Sequence, residues 1–162
     1  MKELTQKQIF NYLFNNRIEN FVGVPDSTMK HFIDEGFKKN KIIIATKEEE
    51  SIGIAVGMRL SQSNSLVFMQ NAGFANSLST ITSLVQLYKI PMIFLIGCRG
   101  FLKNDAPEHT KIGKIQPKLL QALSLQSKII NETNWKASCK WALRLIKEKK
   151  PCVLILKRDF VD

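Results

Sequence analysis

Three consecutive glutamates, Glu48-Glu49-Glu50, follow closely on the apolar run Ile42-Ile43-Ile44-Ala45. A carboxylate there can hold or release a proton for general acid–base work. Three negative side chains equally suit the first turn of a helix, where they interact favourably with its dipole. Three more polar groups follow apolar runs: Pro25-Asp26-Ser27, Gln70-Asn71-Ala72-Gly73 and Cys98-Arg99-Gly100. Asp26 and Ser27 are good helix N-caps, Gln70 and Asn71 can satisfy backbone groups at a strand end, and Arg99 can grip an anion through its planar fork. Lys103, His109 and Lys111 lie in the polar stretch after Gly97 and, taken alone, read as residues of a solvated loop. Gly53 and Gly57 fall inside a helical pattern at a cost of roughly 1 kcal/mol each relative to Ala, so a packing reason is expected for both.

Other chemistries are missing from the sequence. No G-x-G-x-x-G follows a strand and no G-x-x-x-x-G-K-[ST] occurs, which removes the usual dinucleotide fingerprint and the P-loop. His31 and His109 are too few and too scattered for zinc, no G-x-S-x-G elbow supplies a nucleophile, and Cys98, Cys139 and Cys152 form no CxxC. Buried, reduced thiols and no metal site are expected. The 162 residues carry 24 Lys+Arg against 14 Asp+Glu, a net charge of +10. Residues 1–110 hold 12 basic and 10 acidic side chains, residues 111–162 hold 12 and 4. The excess is therefore C-terminal, largely on a helix face with Lys136, Lys140, Arg144 and Lys147. No RNP-type aromatic motif or zinc finger accompanies it, so a solvated face and no nucleic-acid partner are expected. The longest apolar run, Ile90 to Cys98, is far short of the ~20 residues that cross a bilayer, and the start lacks a signal peptide's apolar stretch. No membrane partner and a cytoplasmic location follow as expectations.

The elements that must position these residues alternate between short apolar runs and longer stretches of helical period, the pattern of βαβ units. Thr5 with Gln8 reads as a capping box for a helix over 5–17, with Ile9, Tyr12 and Leu13 inward. A strand Phe21–Val24 ends at Pro25. A second helix runs to about Lys39 and carries Met29, Phe32, Ile33 and Phe37. Ile42–Ala45 reads as a buried strand, and a helix over 48–62, a strand Ser65–Met69, a helix over 73–88 and a strand Pro91–Ile96 follow. Cys98 to Gly113 reads as a long functional loop. A helix near Pro117–Leu125, a strand Ser127–Ile130, the basic helix Asn134–Lys150 and a strand Cys152–Leu156 complete the chain. The expected fold is α/β: one domain over 1–162, an open, doubly wound, mainly parallel six-stranded sheet with helices on both faces. Ligands of such sheets sit beyond the carboxyl ends of the strands.

A Glu after the second strand, then nine residues to a Gly on a small-residue helix, resembles the pyrimidine-binding domain of thiamine diphosphate-dependent decarboxylases. Gly23-Val24-Pro25-Asp26-Ser27, Met69-Gln70-Asn71-Ala72-Gly73-Phe74-Ala75-Asn76, Ile90-Pro91-Met92 through Gly97-Cys98-Arg99-Gly100, and Asp105-Ala106-Pro107-Glu108-His109 are similar to the phosphonopyruvate and sulfopyruvate decarboxylase branch, in the family's order and over about 20–120. Full-length members also carry a Gly-Asp-Gly motif and a later Asn that hold Mg2+ and the diphosphate. This sequence has no Gly-Asp-Gly.

The resemblance implies thiamine diphosphate as cofactor, with Mg2+ held by a partner: a beta subunit carrying the diphosphate-binding domain, and hence a hetero-oligomer. It implies Glu48 as the carboxylate facing N1′ of the aminopyrimidine, where it promotes loss of the thiazolium C2 proton, with Glu49 the alternative one register away. Asp26 and His109 match the family's substrate-facing acid and histidine, Ser27 a hydrogen-bond donor to substrate, and Gly73, Asn76 and Gln70 the segment around the cofactor. Ala72 stands where the family has Pro. Arg99 would meet the anionic end of a small 2-oxo acid. The implied reaction is decarboxylation of 3-sulfopyruvate, or alternatively of 3-phosphonopyruvate. A non-catalytic regulatory or anion-binding subunit on the same fold is the rival.

Overall fold

The computed structural model describes residues 1–101 and 105–157. Its order is α1 (Glu3–Asn15), β1 (Asn20–Gly23), a 3-10 turn (Ser27–Met29), α2 (Lys30–Lys38), β2 (Ile42–Ile44), α3 (Glu48–Leu60), β3 (Ser65–Gln70) and α4 (Asn71–Asn76). Then come α5 (Leu78–Thr80), a π-helical turn (Ile81–Gln86), β4 (Ile93–Cys98), α6 (Pro107–Ala122), β5 (Gln126–Ile130), α7 (Trp135–Lys147) and β6 (Cys152–Lys157). The strands form a single sheet in the order β2-β1-β3-β4-β6-β5, and every pairing is parallel. The doubly wound α/β expectation is borne out.

A parallel sheet covered on both faces needs strands that are apolar on both sides, and β3, β4 and β6 are. Leu66, Phe68, Leu95 and Leu154 share one core with Ile9, Phe10 and Leu13 of α1, Phe32 of α2 and Leu145 of α7. Their sequence neighbours Val67, Met69, Phe94, Ile96 and Val153 share the other with Ile52 and Val56 of α3, Phe74 of α4, Val85 and Leu120. The alternation of successive residues between faces accounts for both cores. Gly23 of β1 leaves no room beside β3: a Cβ there would lie 2.0 Å from the Phe68 carbonyl oxygen. That oxygen belongs to the ladder and cannot move aside. Gly23→Ala should therefore lower the urea midpoint by the equivalent of roughly 3 kcal/mol, the upper end of ordinary overpacking.

The helix C-termini share one construction. Arg17, Asn40, Gln62, Lys89, Ser124 and Lys149 all have positive φ, and the amide after each reaches back five residues, as Ile18 to Leu13 O (3.1 Å), Ser63 to Met58 O (3.0 Å) and Lys150 to Leu145 O (2.9 Å). These are Schellman ends built without glycine.

Several local expectations are corrected. α1 starts at Glu3, and Thr5 lies inside it, with its hydroxyl donating to Glu132 rather than capping. Asp26 and Ser27 make no side-chain cap; a 3-10 turn intervenes before α2. Phe37 is 51% exposed, because the inward stripe continues through Gly36, where a Cβ would meet Ile42 and Phe10. Ile44 is 45% exposed because β2 is an edge strand. The helix expected over 73–88 is broken into α4, α5 and a π-helical turn. α6 begins at Pro107, the favoured first-turn position for proline, and carries Pro117 within it, so the loop after β4 is shorter than expected and His109 is helical. Among the described residues no helix is long and apolar enough to cross a membrane.

Candidate active site

From β1 the chain runs outward to β2, then returns past β1 to β3 and continues to β4. The connections leaving β1 and β3 thus diverge, which makes a crevice beyond their carboxyl ends, the usual ligand position in this architecture. Glu48, Asp26, Gln70 and Arg99 all stand at strand ends on that side.

The three glutamates separate by environment. Glu50 is exposed, and one of its oxygens accepts from both the Thr46 amide and the Thr46 hydroxyl, each at 2.7 Å. Those bonds, the hydroxyl's first, hold its carboxyl below the usual range. Glu50 thus reaches back from the first turn of α3 to Thr46, and no side chain caps the helix amides. Glu49 is half-buried. Glu48, also half-buried, lies against Gly73 at the start of α4: a Cβ on Gly73 would be 2.3 Å from Glu48 Cγ and Oε1 and 2.4 Å from Cδ. The missing side chain of Gly73 is the space that Glu48 occupies.

A second carboxylate enters from β1. Asp26 is 7% exposed, its Oδ1 accepts from Gln70 Nε2 at 3.3 Å, and its Oδ2 is buried with no hydrogen-bond partner. That oxygen points at Gly97, where a Cβ would come within 1.9 Å of it. One glycine in the first turn of α4 and one near the end of β4 thus make room for two acidic side chains. Next to Gly97, burial pushes the Cys98 thiol up to about 12, Lys157 opposing the shift, so it stays protonated at neutral pH and is no nucleophile.

The third group ties β3 and β4 to α6. Asn71, fully buried, donates to the Arg99 carbonyl at 3.0 Å and accepts from the Arg99 amide at 3.4 Å. Arg99 Nη2 donates to Asp105 Oδ1 at 2.8 Å, which also accepts from the Ala106 amide at 3.0 Å, while Oδ2 accepts from the Gly100 amide at 2.5 Å. Burial raises the Asp105 carboxyl, but the bonds from Gly100, Arg99 and Ala106 outweigh it and hold it below its ordinary value. Gly100 has φ of +87°, and a Cβ on it would lie 1.9 Å from the His109 carbonyl oxygen.

Against the sequence expectations, Glu48, Gly73, Asp26 and Gln70 are brought to the crevice in two touching pairs. His109 is delivered beside the end of β4 by the first turn of α6. Arg99, expected to meet a substrate anion, has its Nη2 on Asp105 Oδ1 at 2.8 Å, while its Nε is buried without a hydrogen-bond partner among the described residues. Ser27 is exposed next to Asp26, Asn76 is exposed at the end of α4, and Lys111 is exposed on α6. Lys103 lies outside the described residues. Among those residues no group of three or more His, Cys, Asp or Glu could hold a metal ion. Gly97 and Asp105 lie in the stretches that carry the resemblance, but the fit of Asp26 on Gly97 and the bonds of Asp105 are visible only in the structure; the one sequence signal is an Arg and an Asp six residues apart around a Gly.

Comparison with known proteins bears on the family and the fold. Residues 5–123 match the model of the thiamine pyrophosphate enzyme N-terminal TPP binding domain. A sulfopyruvate decarboxylase subunit alpha from Methanocaldococcus jannaschii is 33% identical over 72% of this chain and 70% of its own length. One from Methanococcus maripaludis is 30% identical over 72% and 71%. A phosphonopyruvate decarboxylase from Streptomyces viridochromogenes is 27% identical over 68% of this chain and 29% of its own. Among solved structures, benzoylformate decarboxylase from Polynucleobacter necessarius superposes with a TM-score of 0.73 at 20% identity over 97% of this chain. A 2-oxoglutarate:ferredoxin oxidoreductase from Magnetococcus marinus does so with 0.72 at 12% over 94%. The likeness to these two is one of fold, and this chain spans 32% and 28% of theirs. A parallel sheet whose switch-point crevice holds a Glu on a Gly, and a sequence match over most of its length, place the chain in the thiamine pyrophosphate enzyme family, as its N-terminal TPP-binding domain.

Proposed function

We propose that this chain is the alpha subunit of a thiamine diphosphate-dependent decarboxylase that converts 3-sulfopyruvate to sulfoacetaldehyde and CO2, active only with a beta subunit that holds the diphosphate and Mg2+. The observation that carries the reading is Glu48 seated on Gly73 in the crevice. The two alpha-subunit relatives support the substrate, and the weaker phosphonopyruvate decarboxylase match makes 3-phosphonopyruvate the second reading. The partner is part of the proposal because the Methanocaldococcus jannaschii and Methanococcus maripaludis relatives are named as alpha subunits. In addition, Gly53 and Gly57 are exposed on α3 with nothing within 4 Å of an added Cβ, so their cost to the helix is not offset within this chain.

The residues present fit the cofactor: a carboxylate stands over a glycine that leaves it room, and a buried Asp26 oxygen lacks a partner. When bound, thiamine diphosphate supplies the electron sink for loss of CO2 from a 2-oxo acid. Glu48 would hold a proton at N1′ of the aminopyrimidine, and Gly73, Gln70 and Asn76 would hold the ring. Asp26, with Gln70 bonded to one oxygen, would hold or deliver a proton at the substrate carbon, and His109 would serve the same face from α6. Ser27, exposed beside Asp26, would donate a hydrogen bond to the substrate.

Purified alone, the chain should release no CO2 from 3-sulfopyruvate, and co-expression with the partner subunit should restore it. Full activity from the chain alone would sink the split-site claim. Faster turnover of 3-phosphonopyruvate would move the assignment to that substrate, and an inactive complex that retains the cofactor would favour a regulatory subunit.

A further inference from the structure

We propose that Asp105 is a positioning residue that fixes His109 relative to the ends of β3 and β4. Its side chain is 1% exposed and receives hydrogen bonds from Arg99, Gly100 and Ala106, the last immediately before α6. Arg99 is in turn held to the start of α4, directly after β3, through the Asn71 side chain. Two glycines let the backbones close on each other: a Cβ on Gly100 would strike the His109 carbonyl at 1.9 Å, and one on Gly113 would lie 2.5 Å from the Arg99 carbonyl. The path from β3 to His109 thus runs through short polar contacts that converge on one carboxylate. The imidazole of His109, by contrast, has no hydrogen bond among the described residues. Its place is set by the backbone that carries it, and Asp105 sets that backbone.

The consequence for catalysis rests on the proposed decarboxylase reading; the positioning itself does not. Only two histidines occur, and His31 lies on the α1–α2 surface, 3.9 Å from carboxylate oxygens of Glu3 and Asp34, which makes it an internal control. In the full chain without cofactor, Asp105→Asn should shift or broaden the His109 Cε1–H resonance and speed hydrogen exchange at the Gly100 amide, while the His31 resonance stays in place. Arg99→Gln, which removes one of these bonds, should move the same signals less, and serves if Asp105→Asn does not fold. In the complex, Asp105→Asn should lower kcat by roughly 10–100-fold, the scale of a misplaced group, with cofactor affinity retained. Adding His109→Gln to it should cost much less than His109→Gln costs alone, since coupled residues are not additive. An unmoved His109 resonance, or fully additive losses, overturns the proposal. A moved resonance with a His109→Gln enzyme of normal kcat supports the positioning and removes His109 from the reaction.

Discussion

Glu48→Gln, introduced into the complex of this chain with its partner subunit, is expected to lower kcat by roughly 10²–10⁴-fold, the usual worth of a positioned proton-transfer group. Exchange of the cofactor's C2 proton for deuterium, followed by NMR after acid quench, should slow to a similar degree. The substitution keeps the volume that fills the space over Gly73 and removes only the ability to ionise, so folding and assembly should be unchanged. The neighbours make the test specific. Glu50 is committed to Thr46 at the start of α3, and Glu50→Gln should loosen that turn and leave exchange intact. Glu49→Gln should also leave exchange intact. Normal exchange in Glu48→Gln together with loss in Glu49→Gln would transfer the role one residue along.

Gly73→Ala is expected to have almost as large an effect on rate by a steric route. Its new methyl would overlap Glu48 at Cγ, Cδ and Oε1, all in the outer part of a flexible side chain. The fold can relieve the overlap by turning Glu48 away, at a cost of about 1 kcal/mol, which lowers Tm by only about 2–4 °C in a chain of this size. The carboxylate then no longer lies where the cofactor needs it, and kcat should fall roughly 10²-fold, as for other misplaced catalytic groups. Kinetics and thermal melts on one preparation separate the two consequences. A variant with normal kcat would show that the seat of Glu48 on Gly73 is incidental.

The fold was readable because both cores are written as alternation along β3, β4 and β6, and because polar residues stop each run on the crevice side. Helix boundaries were read less well, and for a physical reason. The usual end signal is a glycine in the left-handed conformation, but the six helix ends here use Arg17, Asn40, Gln62, Lys89, Ser124 and Lys149. Expected helices therefore ran on past their ends at α1, α3 and α7. In the site, residue type and strand-end position mark Glu48, Asp26 and Gln70 as candidates, and the family resemblance is what implies a role for each. Which partner each one meets was not legible, since the Arg99–Asp105 pair and the fit of Asp26 onto Gly97 depend on how β4 turns into α6 and lies beside β1. A charged residue read alone invites a ligand, and only the structure shows that Arg99 also has a partner within the chain.

Those helix ends carry an implication for the evolution and engineering of the chain. The eight glycines are largely used where backbones or catalytic candidates crowd, while five of the six left-handed helix ends, Asn40 aside, use residues that pay roughly 1 kcal/mol each for that conformation. All six lead into the amino ends of strands or the approach to them, on the side of the sheet opposite the crevice. The protein thus holds a reserve of unclaimed stability at its far pole. Glycine placed at those turns is a route to a sturdier scaffold that leaves the chemistry at the other pole untouched, and the same slack can absorb costly changes at the site as specificity drifts.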